Sequence, residues 1–395
     1  MNDSVAPGSS GRPDACMQSA QPQSYHLDIR FTGSGSEYFR IWIVNLLLIL
    51  ITFGIYYPWA KVRRLRYFHA NTLVDGAPLD FHGNPLKMLK GYLLVGLLFV
   101  LYSAAGNFSS TAGVVAFLVV MAIWPALWRS SLQFRLANTS WRGMRFRFKG
   151  SLGGMYKAAL PLFVPSLVIL AALAAVPDPE KPPTWYIAVV GVVLLVTLVV
   201  VPWLTWNLKQ FQHNHYALAS LQTTFKATLG SFYVLFLKIL GVTLLAVVLA
   251  SALAGGLAFL GTRTGVLSGR AGLAISIGVG MLAGALSILA VAKPYALSRL
   301  QNLVWTRTGN ASLRFVSELK FVPLLGLSLK NWLLVIVTLG LYWPFAAVAV
   351  ARIRLEAVLV KTRVSPDTLV NQLAGAEGEA AGDAAGDLFG LDIGL

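Results

Sequence analysis

Carboxylates are nearly missing from the middle of this chain. Between residues 41 and 350 of its 395 there are only Asp75, Asp80, Asp178, Glu180 and Glu318, and none lies inside a hydrophobic run. That scarcity argues against a proton relay through the apolar segments, since such relays are built from Asp, Glu and His chains. Cysteine is scarcer still. Cys16 stands alone, so an intrachain disulfide and a metal site of paired thiolates are excluded. Charge of either sign is low, 12% against 56% hydrophobic residues, where a globular domain averages about 25% charged. No glycine-rich phosphate loop closing on Lys-Ser/Thr is present, which argues against a nucleotide-driven pump within the chain. The first forty residues have no basic start followed by an apolar core, so no cleaved signal peptide is expected and the first hydrophobic segment directs insertion.

What remains is blocked into long apolar runs, and the mean hydropathy is +0.67. The runs fall at 41–59, 91–105, 112–128, 158–176, 185–206, 232–253, 271–292 and 332–350. A membrane crossing takes roughly 17–25 such residues, so most qualify and 91–105 is short. The sequence therefore predicts an all-α transmembrane protein with about eight hydrophobic helices. Trp42, Trp59, Trp124, Trp128, Trp185, Trp203, Trp206, Trp332 and Trp343 sit at segment ends as an aromatic belt.

One phrase recurs. An apolar segment ends in proline and is followed by a basic, otherwise apolar stretch: Pro58 with Lys61, Arg63, Arg64 and Arg66; Pro125 with Arg129 and Arg135; Pro202 with Lys209; Pro294 with Arg299; Pro344 with Arg352 and Arg354. Short β-like phrases precede the units, as in Phe31-Thr32-Gly33, Phe81-His82-Gly83 and Phe146-Arg147-Phe148-Lys149-Gly150, with weaker versions at Thr224-Phe225-Lys226 and Leu313-Arg314-Phe315-Val316. Period-two alternation marks half-exposed strands, and these are expected to pair as small hairpins outside the bilayer. The architecture expected is thus repeated helix–Pro–basic-helix units with short cytoplasmic β-like hairpins. Around this domain, 31–363, lie a polar N-terminal tail, 1–30, and an acidic Ala/Gly-rich disordered tail, 364–395.

Charge orients the array. Stretches 61–90, 129–157 and 293–330 carry six, seven and six bases, and the positive-inside rule puts them in the cytoplasm. The first and last segments either span or dip in and return. They align as Asn45 with Asn331, Thr52 with Thr338, Gly54 with Gly340 and Pro58 with Pro344. An Asn, a Thr and a Gly before a Pro suit a broken helix, and interfacial packing explains them equally.

The run Gly33-Ser34-Gly35-Ser36-Glu37-Tyr38-Phe39, then Trp42-Ile43-Val44-Asn45, then Thr52-Phe53-Gly54-Ile55-Tyr56-Tyr57-Pro58-Trp59-Ala60-Lys61-Val62-Arg63 resembles the YjgN family of bacterial inner-membrane proteins. Arg66-Tyr67-Phe68 and Asn71-Thr72 extend the likeness, which covers most of 30–360. That family is described by a domain of unknown function. The resemblance implies a multi-pass inner-membrane protein and assigns no activity.

No site of chemistry stands out. His213 and His215 are two residues apart and point to different sides of a helix, with no Cys, Asp or Glu nearby to complete a metal shell. His69 and His82 near Asp75 and Asp80 read as a polar turn around Asp75-Gly76-Ala77-Pro78. No cofactor is implied, and the expectation is a non-enzymatic protein. Two function classes remain. One is a small-solute transporter or channel, its path lined by Asn45, Thr52, Asn107, Thr197, Asn331 and Thr338, with hinges at Gly54, Pro58, Gly340 and Pro344. The other binds or organises anionic lipid through interfacial bases, for which Lys61, Arg63, Arg64, Arg66, Arg129 and Arg135 are candidate headgroup contacts. Membrane lipids, and no nucleic acid, are the expected partners.

Overall fold

The computed structural model describes residues 25–365 apart from 179–180 and 266–268, together with 367, 368 and 370. Both tails expected from the sequence fall largely outside that range.

Strand β1 (Tyr25–Phe31) leads into α1 (Gly35–Ile51), a break at 52–56, and α2 (Tyr57–Ala70). A hairpin of β2 (Thr72–Val74) and β3 (Ala77–Phe81) follows, then α3 (Pro85–Phe108) and α4 (Ser110–Ala137). Next come β4 (Thr139–Trp141), β5 (Met144–Phe148), α5 (Leu152–Ala159), a 3₁₀ turn, α6 (Val164–Ala174) and α7 (Thr184–Asn214). Short strands β6 (Tyr216–Leu218), β7 (Leu221–Gln222) and β8 (Thr224–Phe225) precede α8 (Leu229–Arg263) and α9 (Gly269–Ser287), which runs through a π turn into α10 (Lys293–Thr306). The chain closes with β9 (Thr308–Gly309), β10 (Leu313–Ser317), α11 (Phe321–Val337), a break at 338–342, α12 (Trp343–Leu355) and β11 (Val358–Thr362).

Among the described residues, six helices are long and apolar enough to cross a membrane: Pro85–Phe108, Thr111–Ala137, Leu152–Ala174, Thr184–Asn214, Leu229–Arg263 and Gly269–Thr306. The count is six rather than about eight because the first and last apolar segments are broken. At the first break Phe53 and Gly54 take φ of +49° and +90°; at the second Leu339 and Gly340 take +49° and +93°. The left-handed region suits glycine and ends a helix. Each break is stitched by a threonine. Thr52 Oγ1 donates to the Leu48 carbonyl and accepts from the Tyr56 N–H; Thr338 Oγ1 does the same with Leu334 and Tyr342. Backbone groups freed in an apolar layer must find such partners. At the apices Phe53 is 97% and Leu339 94% exposed. Since β1 before this helical hairpin pairs with β2 after it, α1–α2 returns to the side it left. The α11–α12 pair does likewise between β10 and β11.

The β-like phrases do not form separate hairpins. Among the described residues they join in one eleven-stranded sheet of order β7-β6-β5-β4-β3-β2-β1-β11-β10-β9-β8. Its two ends, β7 and β8, are separated in sequence by Thr223 alone, so the sheet closes into a ring. The last strand completes it: β11 pairs β1 (Leu27↔Val360) and β10 (Phe315↔Val360). Alternation sets the two faces. Leu27, Ile29 and Phe31 turn inward while Asp28 and Arg30 are outward, and Arg145 and Arg147 are exposed on β5. Leu27, Trp141, Met144, Ala219 and Val360 fill one end of the ring as a buried cluster, and Val364 and Val370 pack against it. Asp367 pairs with Arg142 at 2.9 Å beside them.

Candidate functional site: a basic cavity on the ring axis

Five helical segments run directly into the ring. Pro58, Pro294 and Pro344 stand at the starts of α2, α10 and α12, Pro125 and Pro202 lie inside α4 and α7, and each segment ends within three residues of a strand, namely β2, β4, β6, β9 or β11. A side chain from each reaches across to the loop that opens the next apolar segment. Arg66 donates to the Gly83 carbonyl (3.4 Å), Arg129 to Gly150 (2.7 Å), Trp206 to Ala227 (2.9 Å) and Asn302 to Leu319 (3.0 Å). Arg352 donates to Gly33 (2.8 Å), so the last helix braces the first loop. Gly83 and Gly150 follow strand-final phenylalanines whose rings fold over them; a Cβ there would lie 2.5 and 2.6 Å from Phe81 and Phe148. This is the reason for the Phe-x-Gly phrase. Ser317, the final residue of β10, stands where those phenylalanines stand, placing the equivalent phrase two residues later than Phe315.

Counted from each proline, positions 7, 10, 11 and 14 share one helix face. These positions meet on the axis. Leu65, Leu132, Lys209 and Gln301 at position 7, Arg135, Val304 and Arg354 at position 10, and His69, Leu136, His213 and Trp305 at position 11 all line a cavity of about 740 Å³. Ring residues Leu79, Phe146, Leu218, Leu313 and Phe315 complete its walls. Among the described residues no Asp or Glu lines it.

The bases there are held by neutral groups. Arg354 Nε donates to Gln301 Oε1 (2.9 Å) while Gln301 Nε2 donates to the Arg354 carbonyl (2.9 Å). Lys209 Nζ donates to Gln212 Oε1 (3.3 Å) and Arg135 Nε to the Ser131 carbonyl (3.4 Å). Burial pulls the Arg354 guanidinium below its ordinary range. Burial, and then the charge of Arg135, does the same to Lys61. His69 is held neutral by burial, which outweighs its hydrogen bond to the Leu65 carbonyl. The Tyr216 hydroxyl is pushed up by burial against the pull of Arg135.

The six bases expected to touch headgroups therefore divide. Arg66 and Arg129 brace loops, Arg135 lines the cavity, and Lys61 is half-buried beside it. Arg63 and Arg64 are exposed. Arg63 Nη1 donates to Asn45 Oδ1 (3.4 Å) and Tyr56 Oη (3.3 Å), and Arg64 stacks over Trp343 at 5.4 Å. Asn45 and Asn331 are both buried, and Asn331 has no hydrogen-bond partner among the described residues. Three histidines are hydrogen-bonded within the fold: His213 Nδ1 lies 3.0 Å from Thr308 Oγ1, His215 Nδ1 donates to the Phe211 carbonyl, and His82 Nε2 meets Ser140 Oγ at 2.9 Å. Among the described residues no cluster of three metal-ligating side chains exists. Lys209, Gln301 and Arg354 escaped the sequence reading as a set; counting from the prolines is the signal that finds them.

Residues 26–388 match a family described as bacterial protein of unknown function (DUF898). The chain belongs to this family. It is 29% identical over 182 residues to Inner membrane protein YjgN of Salmonella typhimurium, covering 45% of this chain and 46% of that one. The Escherichia coli K12 protein of the same name is 30% identical over 146 residues, 35% of each chain. The matched stretch thus spans less than half the length of these relatives. No solved structure matches. With relatives so named and six membrane-length helices, the chain is a multi-pass bacterial inner-membrane protein.

Proposed function

We propose that this family member is a cyclic array of five strand–helix–proline–basic-helix units that holds anionic lipid at the cytoplasmic face and does not conduct a solute. One observation carries the reading: all five proline-bearing helices deliver to a single ring, so their bases gather at one level where carboxylates are scarce. The positive-inside rule puts that level in the cytoplasm. From Gly54 at the apex to Lys61 is about 10 Å at 1.5 Å per residue, which seats the broken hairpin in one leaflet and Arg63 and Arg64 among headgroups. Arg64 over Trp343 and Arg299 over Tyr295 (5.5 Å) join a base to a boundary aromatic ring. Juxtamembrane bases of this kind attract anionic lipid by roughly 1 kcal/mol each.

Several features favour binding over conduction. Thr52 and Thr338 are engaged in stitching the breaks, Thr197 Oγ1 donates to the Val193 carbonyl, and Asn45 is held by Arg63. The ring end is filled by Trp141 and its neighbours. In full-length protein purified with its lipids, Arg63→Glu/Arg64→Glu is expected to abolish enrichment of anionic over zwitterionic lipid without changing the melting temperature. Unaltered lipid selectivity would overturn the reading, as would flux of an ion or metabolite through proteoliposomes.

A further inference from the structure

We infer that the axial cavity is a binding site for a single amphiphilic acid, with its carboxylate or phosphate among Arg135, Lys209 and Arg354 and its one apolar chain directed into the ring. The site lies inside the protein, apart from the outer surface where Arg63 and Arg64 face lipid, and it does not depend on that surface binding anything.

Three observations converge. The first is charge. Arg135, Lys209 and Arg354 come from three different helices, α4, α7 and α12, yet line one space together with His69 and His213 and with no Asp or Glu among the described residues. Arg135 and Arg354 keep exposed surface and Lys209 is half-buried, so all three are open to a ligand in that space. Here their partners are neutral: a glutamine for Arg354, a glutamine for Lys209 and a backbone carbonyl for Arg135. Arg354 spends only Nε on Gln301, and its two terminal nitrogens donate to no described residue. A bound acid would satisfy these donors and neutralise the cluster at once.

The second is the distribution of apolar surface. On the ring side of the bases the wall is Leu79, Phe146, Leu218, Leu313 and Phe315. Beyond it the ring is stopped by the cluster around Trp141. A free inorganic anion would leave that half of the space without a partner, whereas an alkyl chain fills it and ends against a closed floor. The third is size. At about 740 Å³ the cavity falls within the roughly 300–1,000 Å³ of sites that take one small ligand. Leu297 and Leu300, at positions 3 and 6 from Pro294, line the membrane-side end.

The test uses full-length protein in an uncharged sugar-headgroup detergent and native mass spectrometry, titrating palmitate, hexadecyl phosphate, hexadecanol and inorganic phosphate in parallel. A one-to-one adduct with palmitate or hexadecyl phosphate is expected, the stronger of the two identifying the preferred acid, and neither hexadecanol nor inorganic phosphate should bind comparably. Arg135→Gln/Arg354→Gln should weaken the acid by at least about tenfold, as expected for loss of charged hydrogen bonds, while Arg63→Gln/Arg64→Gln leaves it unchanged. Hexadecanol binding as tightly as the acids would overturn the charged half of the inference, and inorganic phosphate matching hexadecyl phosphate would overturn the apolar half. A folded double variant that binds acid like the wild type would overturn the placement. If that variant does not fold, the wild-type contrast between acid and alcohol decides alone.

Discussion

Asn45 and Asn331 occupy matching positions and meet opposite surroundings. Arg63, five residues past Pro58, donates to Asn45; five residues past Pro344 stands Ala349, and Asn331 has no partner among the described residues. An unsatisfied buried amide costs about 1–3 kcal/mol. Asn331→Leu is therefore expected to raise the melting temperature of the purified protein, and Asn45→Leu, which leaves Arg63 without its acceptor, to lower it. His69 supplies a pH dependence. Burial holds it below the ordinary 6.5, so above that value neither folded nor unfolded chain carries its proton and its contribution is complete. Below it the unfolded chain takes the proton first, and stability falls. Melting measured from pH 7 to pH 5 should decline less steeply in His69→Gln. The sequence showed these residues but not their fates. It grouped bases by neighbourhood along the chain, as at 61–66, when the helix sorts them by face: Arg63 and Arg64 outward, Arg66 to a loop, Arg135 to the axis.

At the scale of elements, apolar length and proline position were legible and the breaks were legible only as alternatives. Asn, Thr and Gly before Pro fit both a spanning and a returning helix, because the sequence carries no record of φ. Gly340 at +93° decides it for the last segment. A Cβ there meets nothing within 4 Å, so Gly340→Ala tests backbone conformation without a clash. Forcing a left-handed geometry on an L-residue costs roughly 1–2 kcal/mol. The expected outcome is a lower melting temperature for Gly340→Ala, with Gly326→Ala, in the body of α11, neutral or mildly stabilising by comparison. The strands were read one face at a time from alternation. Their pairing beyond the nearest hairpin was not readable, since strands as short as Leu221–Gln222 carry almost no pattern of their own.

For the molecule as a whole, one phrase recurs along the sequence, and in the structure β1 and β11, far apart in the chain, pair side by side. The closing contacts are the β1–β11 ladder, the Arg352–Gly33 brace and the stacking of Phe39 on Phe345 and Trp42 on Trp343. None has a signature in sequence, because each joins residues some 300 positions apart. A chain ending at residue 355 lacks β11 and so leaves β1 and β10 without their shared neighbour. Limited proteolysis should cut that truncation in the ring strands under conditions where the full chain resists, and size-exclusion chromatography should show it associating through open edges. An intact, monodisperse truncation would mean the ring does not depend on its last strand.

Closure by the final strand also sets a schedule for biogenesis. While the ribosome is still adding the residues between Tyr25 and Val358, one edge of β1 has no mate. At about 5–20 residues per second that interval is roughly 20–70 s. The nascent chain must spend it tethered at the insertion machinery with an unpaired edge in water. His26, Asp28 and Arg30 on the outward face of that strand then act as its guard against premature partners.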